Sequence, residues 1–230
     1  MSGHNIQINN QSFMDRLNDI SDTFFSHENY EDERYYAYDS PEGDHFDNGE
    51  YYCGDIALQE KLSKSEDHSG FPEEHFAQPI SKMVQQDPEI WTPFRDRVKF
   101  DFARELGAHT SALLSYYPPG GFVGWHTNWN ANAYQVLFTY SETGDSYFRY
   151  YDKHSGDIVT LDEKPGWQCH HYYFGRKDED DHHCWHSAYA GCRRITLAYK
   201  FVNGSLTDIK NDQAIQLRDM LIEEIEDEGN

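Results

Sequence analysis

The sequence predicts a mainly β core, a sandwich, barrel or jelly roll, with helices flanking it. Three observations predict this. Between about 109 and 203, short runs rich in Tyr, Phe, Val, Ile and Thr alternate with Gly, Pro, Asn and Asp. Amphipathic helical patterns stand on either side of that stretch. Aromatics reach 16% against 37% hydrophobic residues in all, so the core is expected to draw on Tyr, Phe and Trp more than on Leu and Val.

The elements follow in chain order. Residues 12–26 read as a helix, with Ser12 as cap and Phe13, Leu17, Ile20 and Phe24 on one face. Residues 27–75 are acidic, rich in Tyr and Gly and without clear period, and read as a loop-rich arm or a lid over the site. Residues 76–107 look helical in two pieces, the second opening at Thr92-Pro93 and ending near Gly107. Strands are expected at 110–117, 122–127, 133–140, 146–152, 157–161, 167–174, 184–189 and 193–202. A final amphipathic helix spans 207–227, capped by Thr207, with Ala214, Leu217, Leu221 and Ile225 on one face. We expect one domain overall: 1–109 as N-terminal helices and acidic arm, 110–203 as the core, and 204–230 as a C-terminal helix.

The 230 residues carry 41 acids against 19 Lys and Arg, a formal net charge of −22. That balance disfavours nucleic acid and anionic membranes, both of which need a basic surface. No apolar run approaches the ~20 residues that span a bilayer. The start has neither a charged n-region nor an apolar h-region, so the expected location is cytoplasmic. Cys53, Cys169, Cys184 and Cys192 are then expected as reduced thiols. Thirteen histidines are many for this length and are unevenly placed.

Three features stand at telling places. "YYPPGGFVGWHTNWN", 116–130, puts His126 at the end of a strand. "DHHCWHSAYAGCRRITLAYKF", 181–201, puts His186 at the start of another. Arg193 and Arg194 open the last strand. Two strand-borne histidines with an arginine beside them suit a metal site with an anion clamp, because imidazole binds transition metals and guanidinium grips carboxylate as a fork. On a strand from Arg194, alternation points Arg194, Thr196 and Ala198 into the barrel. Ile195, Leu197, Tyr199 and Phe201 then face outward under the helices.

Together, "YPPGGFVGWHTN" and "HSAYAGCRRITLAYKF" resemble the Fe(II)- and 2-oxoglutarate-dependent dioxygenases, nearest in flavour to the prolyl-hydroxylase-like branch. The resemblance covers roughly residues 110–202. It implies a double-stranded β-helix, a distorted jelly roll, and an oxidative reaction that consumes O2 and 2-oxoglutarate. The outcome would be hydroxylation of a peptidyl side chain or a small molecule, a basic one being favoured by the acidic shell. It also implies His126 and His186 as metal ligands and Arg194 as the 2-oxoglutarate clamp, with Arg193 as fallback because one slip of register swaps them. Tyr117 and Tyr140 become hydroxyl donors to the co-substrate, and Thr196 lies beside the clamp.

The departure is at Asn128, where the family usually shows Asp or Glu two residues after the first histidine. Asn offers only a neutral carbonyl oxygen. The alternatives are weak ligation by Asn128, a position left to water or chloride as in a halogenase, or loss of tight iron binding and activity. Asp145 or Asp152 reaching the metal is a further alternative. A non-catalytic jelly-roll binding module is the competing function. A zinc site from Cys169, His171, His182 or His183, Cys184 and Cys192 is disfavoured because paired CxxC spacing is missing. His170 and His171 read as strand or surface residues. Trp125, Trp129, Trp167 and Trp185 line either a substrate pocket or the core.

Overall fold

In a computed structural model, residues 4–39, 48–64, 72–128, 133–175, 184–201 and 209–227 are described. A short strand β1 (His4–Ile6) precedes helix α1 (Gln11–Ser26). The α1 cap is Asn10 and not Ser12: the Asn10 side chain accepts the Phe13 N–H at 3.0 Å, and Ser12 lies inside the first turn. Phe13, Leu17, Ile20 and Phe24 are buried, as their spacing predicts.

The acidic arm holds more regular structure than its composition suggests. It contains a 3-10 turn at Glu33–Tyr35, strand β2 (Ala37–Asp39), and helices α2 (Gly49–Tyr52) and α3 (Asp55–Ser63). Next comes β3 (His75–Pro79), where the sequence reads as helix. A five-residue run has too little length for periodicity to tell strand from helix. Tertiary pairing decides it: β3 bonds to β4 through Gln78↔Tyr116 and to β5 through Phe76↔Phe122.

Helices α4 (Ile80–Gln86) and α5 (Pro88–Asp96) follow. Pro88, not Pro93, opens α5; Pro93 lies within it. A π-helical stretch at Arg97–Asp101 runs into α6 (Phe102–Glu105), and the chain turns at Gly107 with φ 67. That left-handed backbone suits glycine and ends the helix as expected.

Eight strands then form the core: β4 (Thr110–Tyr117), β5 (Gly121–His126), β6 (Ala133–Ser141), β7 (Ser146–Asp152), β8 (Asp157–Asp162), β9 (Gly166–Phe174), β10 (His186–Ala190) and β11 (Arg194–Lys200). Their pairing is antiparallel throughout. One sheet runs β9-β6-β11-β4 and the other β8-β7-β10-β5, with β3 joining β4 to β5. The chain alternates between the sheets except at the β7–β8 hairpin, and this ordering is that of a double-stranded β-helix. Helix α7 (Ile209–Glu226) closes the described chain; Thr207 lies outside the described residues.

The main core lies between the first sheet and the helices. Tyr116, Val136, Phe138, Ile195, Leu197, Tyr199 and Phe201 meet Phe13, Phe24, Trp91, Phe94 and Phe102 there. Phe24 stands 5.2 Å from Tyr116 and Phe13 5.5 Å from Phe138, both centroid to centroid. Leu221 and Ile225 of α7 join this core, and the Ile225 carbonyl accepts the Asn9 and Asn10 N–H groups at 2.9 and 3.0 Å. The outer face of the second sheet is covered by α2 and α3. Trp125 and Trp185 pack on Ala57 and Leu58, and Trp125 Nε1 donates to the Gly54 carbonyl at 2.9 Å. The described part of the arm therefore includes outer cladding. No helix among the described residues is long and apolar enough to cross a membrane.

Candidate functional site

Residues 60 positions apart in sequence meet at one cross-strand pair. His186 of β10 lies opposite His126 of β5, and their rings are 4.1 Å apart at the centroids. A bulge makes this possible. Between that pair and Ala188↔Val123, β5 advances one residue more than β10, so Val123 and His126 face the interior together. Gly124 sits in the bulge, where a Cβ would lie 3.0 Å from the Glu74 carbonyl oxygen. The turn before β5 is tight as well, with Gly120 at φ 83.

Both imidazoles are oriented the same way. His126 Nδ1 lies 2.9 Å from the Gly124 carbonyl, and His186 Nδ1 3.1 Å from the Cys184 carbonyl. A carbonyl only accepts, so each Nδ1 carries a proton, and in the neutral ring the lone pair is then on Nε2. This is the tautomer of a metal-binding histidine. Phe174 and Phe148 stand 4.6 and 5.9 Å from the His186 ring and give that end apolar walls.

Arg194 lies at the other end of the interior, on the first sheet. Its cross-strand partners are Tyr117 on β4 and Ser141 on β6, and Thr196 faces the same way. The guanidinium sits 5.3 Å from the Tyr117 ring centre, and Nη1 donates to Thr196 Oγ1 at 2.7 Å. The Tyr117 hydroxyl is pushed up to about 12 by burial, with the Arg194 charge pulling the other way. Arg193 points to the opposite face, donating to Tyr30 Oη at 2.7 Å, pairing with Glu142 and covering the Phe25 ring.

Tyr140 does not join this group. It pairs with Ile195 in register, on the helix side of the sheet, and packs 5.6 Å from both Phe25 and Trp167. Thr139, one residue earlier, is the inward neighbour of Thr196. Of the two readings for the tryptophans, core packing holds for three: Trp167 belongs to the helix-facing core and Trp125 and Trp185 to the outer cluster, while Trp129 lies outside the described residues.

Three inward residues were missed. Glu163, just after β8, grips Arg194: Nε donates to Oε1 at 2.9 Å and Nη2 to the same oxygen at 2.7 Å. Both side chains are 4% exposed. No pattern in "TLDEKPGW" announces this contact. His170 and Tyr172 of β9 face inward with Gln168, since they pair with Leu137, Gln135 and Thr139. Strand parity could have found them. Tyr172 stacks 5.1 Å from Phe148 of the opposite sheet, so it spans the interior. Its hydroxyl and His170 Nδ1 are buried with no hydrogen-bond partner among the described residues. Burial, then the Arg194 charge, lowers His170 to about 4.

The arrangement implies a transition metal and a dicarboxylate, and fits them unequally. Two Nε2 lone pairs on adjacent strands suit a metal, and Asn128, half-buried, follows His126 by two residues. Among the described residues no group of three or more His, Cys, Asp and Glu is placed to hold a metal ion. Asp152 instead caps a turn, its Oδ1 accepting the His154 N–H at 2.9 Å. Cys169 and Cys192 lie apart, in the helix-facing core and beside Ser141, so no zinc cluster forms from described residues. A keto-diacid does not fit this conformation, because the Arg194 fork already holds a carboxylate.

No protein-family model matches the chain, and no curated protein does. Similar solved structures include a Pseudomonas putida prolyl-4-hydroxylase, 14% identical over 80% of this chain and 98% of that one, at a TM-score of 0.31. A viral collagen prolyl hydroxylase from Paramecium bursaria Chlorella virus-1, in its 2OG complex, is 10% identical over 74% and 96%, at 0.30. A predicted oxalate decarboxylase from Thermotoga maritima is 20% identical over 39% and 64%, at 0.23. Scores of this size carry no argument, and the fold stands on its strand order and pairing.

Proposed function

We propose that this chain is an Fe(II)- and 2-oxoglutarate-dependent oxygenase that hydroxylates a peptidyl side chain or a small molecule. The observation that supports it most is the imidazole pair, with both Nδ1 atoms tied to carbonyls and both Nε2 lone pairs presented from adjacent strands. Bound iron, with O2 and the co-substrate, would supply the oxidation; the protein supplies position and exclusion of water. His126 and His186 hold the metal, and Asn128 offers its carbonyl oxygen without adding charge. Phe148 and Phe174 keep the His186 side dry. Arg194, with Thr196 and Tyr117 beside it, would anchor the distal carboxylate only after Glu163 leaves the guanidinium. The −22 shell favours a cationic prime substrate. Four buried, unbridged cysteines accord with a cytoplasmic setting.

The test is anaerobic addition of Fe(II) and 2-oxoglutarate, watched for the weak visible charge-transfer band, then succinate release in air. Asn128→Asp is expected to tighten iron binding roughly 10-fold, by adding a charged oxygen donor. Equal affinity would place residue 128 away from the metal. A second reading is a binding module without catalysis. The Arg194–Glu163 pair and Asn128 favour it, and metal binding with neither band nor succinate is its signature.

A further inference from the structure

We propose that Glu163 is an internal occupant of a carboxylate site centred on Arg194, and that a ligand carboxylate enters by displacing it. The identity of the ligand rests on the oxygenase reading; the anion site itself does not.

The contact has the form an incoming carboxylate would take. Along its Nε and Nη2 edge Arg194 donates twice to Glu163 Oε1, at 2.9 and 2.7 Å, and Nε also reaches Oε2 at 3.2 Å, so both carboxylate oxygens lie against the guanidinium edge that binds carboxylates. The Nη1 edge is fixed by Thr196 at 2.7 Å. The cation is thus held by its own strand, and the anion is the part that comes from elsewhere. Glu163 follows β8, an edge strand of the opposite sheet, and its backbone N–H is tied to the Ser146 carbonyl at 3.0 Å. Glu163 lies in the connection from β8 to β9, outside both strands, and its side chain reaches Arg194 from there. Withdrawal therefore needs side-chain rotation and no change in strand pairing. The exchange conserves charge: one carboxylate leaves the fork for water as another enters.

The second observation is what Glu163 leaves unsatisfied. The Tyr172 hydroxyl and His170 Nδ1 face the same interior and have no hydrogen-bond partner among the described residues. Buried polar atoms in native proteins are nearly all paired, and an unpaired one calls for a missing group. A resident side chain satisfies the fork only. A ligand bearing a carboxylate and further oxygens, such as a keto acid, would take the fork and give these two atoms partners. Phe148 links Tyr172 to His186, at 5.1 and 5.9 Å, so such a ligand would lie between the fork and the imidazole pair.

The experiment compares wild type, Glu163→Gln and Glu163→Ala in the full chain loaded with Co(II). Calorimetry measures 2-oxoglutarate affinity, and melting curves are recorded with acetate and succinate. Removing the competitor should tighten 2-oxoglutarate binding roughly 10-fold or more in Glu163→Gln, as expected if the fork is open a tenth of the time or less. Acetate should raise the melting temperature of Glu163→Ala and leave wild type unmoved. Metal affinity should stay constant across the three. Unchanged or weaker 2-oxoglutarate binding in Glu163→Gln, with no acetate response in Glu163→Ala, overturns the proposal. If Glu163→Ala does not fold, the Glu163→Gln affinity decides alone. Acetate uptake with 2-oxoglutarate ignored by every form supports the anion site and overturns the oxygenase reading.

Discussion

The two faces of the first sheet are made by the same strands and are built on opposite principles. On the helix side, Tyr116, Phe138, Ile195, Leu197 and Tyr199 interlock with α1, α5 and α6 in a dry aromatic core. On the inner side, Tyr117, Thr139, Arg194, Thr196, His170 and Tyr172 form a polar wall with a buried ion pair and two unsatisfied atoms. Each strand supplies both by alternation. The difference teaches that stability and chemistry are separated by residue parity, not by segment. A one-residue slip would exchange a core for a site.

The comparison can be broken at several points. Arg194→Ala should carry the largest cost, about 3–5 kcal/mol in denaturant unfolding, because it strands a buried carboxylate. Pairing it with Glu163→Met as Arg194→Met should recover most of that loss. On the other face, Leu197→Ala should cost about 2–5 kcal/mol by leaving a cavity. Metal and ligand affinity should be untouched by it; a matched loss would show that the faces are not independent.

His186→Ala should lower metal affinity about 100-fold or more, measured by competition with a chelating dye, with little change in unfolding. The acid limb of stability comes next. His170 falls from its ordinary 6.5 to about 4 in the folded protein. The unfolded state therefore binds its proton first. Stability is full above pH 6.5 and falls as pH drops toward 4, by about 3 kcal/mol. His170→Leu should flatten that limb. The smallest effect is Tyr172→Phe, within about 0.5 kcal/mol of wild type without ligand, since the hydroxyl has no partner to lose. A clear weakening of 2-oxoglutarate binding by the same change would mark it as a ligand contact.

Legibility in the sequence followed the range of the interactions. The core strands were readable within a residue or two: β4 and β7 match their expected bounds of 110–117 and 146–152. Alternation is local, and turn residues bracket each run. β3 was misread as helix because its state depends on pairing with β4 and β5. The cap of α1 shifted to Asn10 because several polar residues compete at that end. Tyr140 is expected as a hydroxyl donor to the co-substrate, but the register of β6 on β11 pairs it with Ile195 on the helix side, and that register is not contained in either strand alone.

By itself, the sequence determined the alternation of small strands, the two histidines at strand ends, and an arginine on the inward face of the last strand. These are local periodicities, set by a chain whose neighbours alternate sides. Only the tertiary structure decided that His126 and His186 share one cross-strand pair, through a bulge at Gly124. It alone decided that Arg194 is held by Glu163, a residue 31 positions away in the connection from β8 to β9. Contacts between sheets depend on how two curved layers close on each other, and no period within either strand encodes that closure.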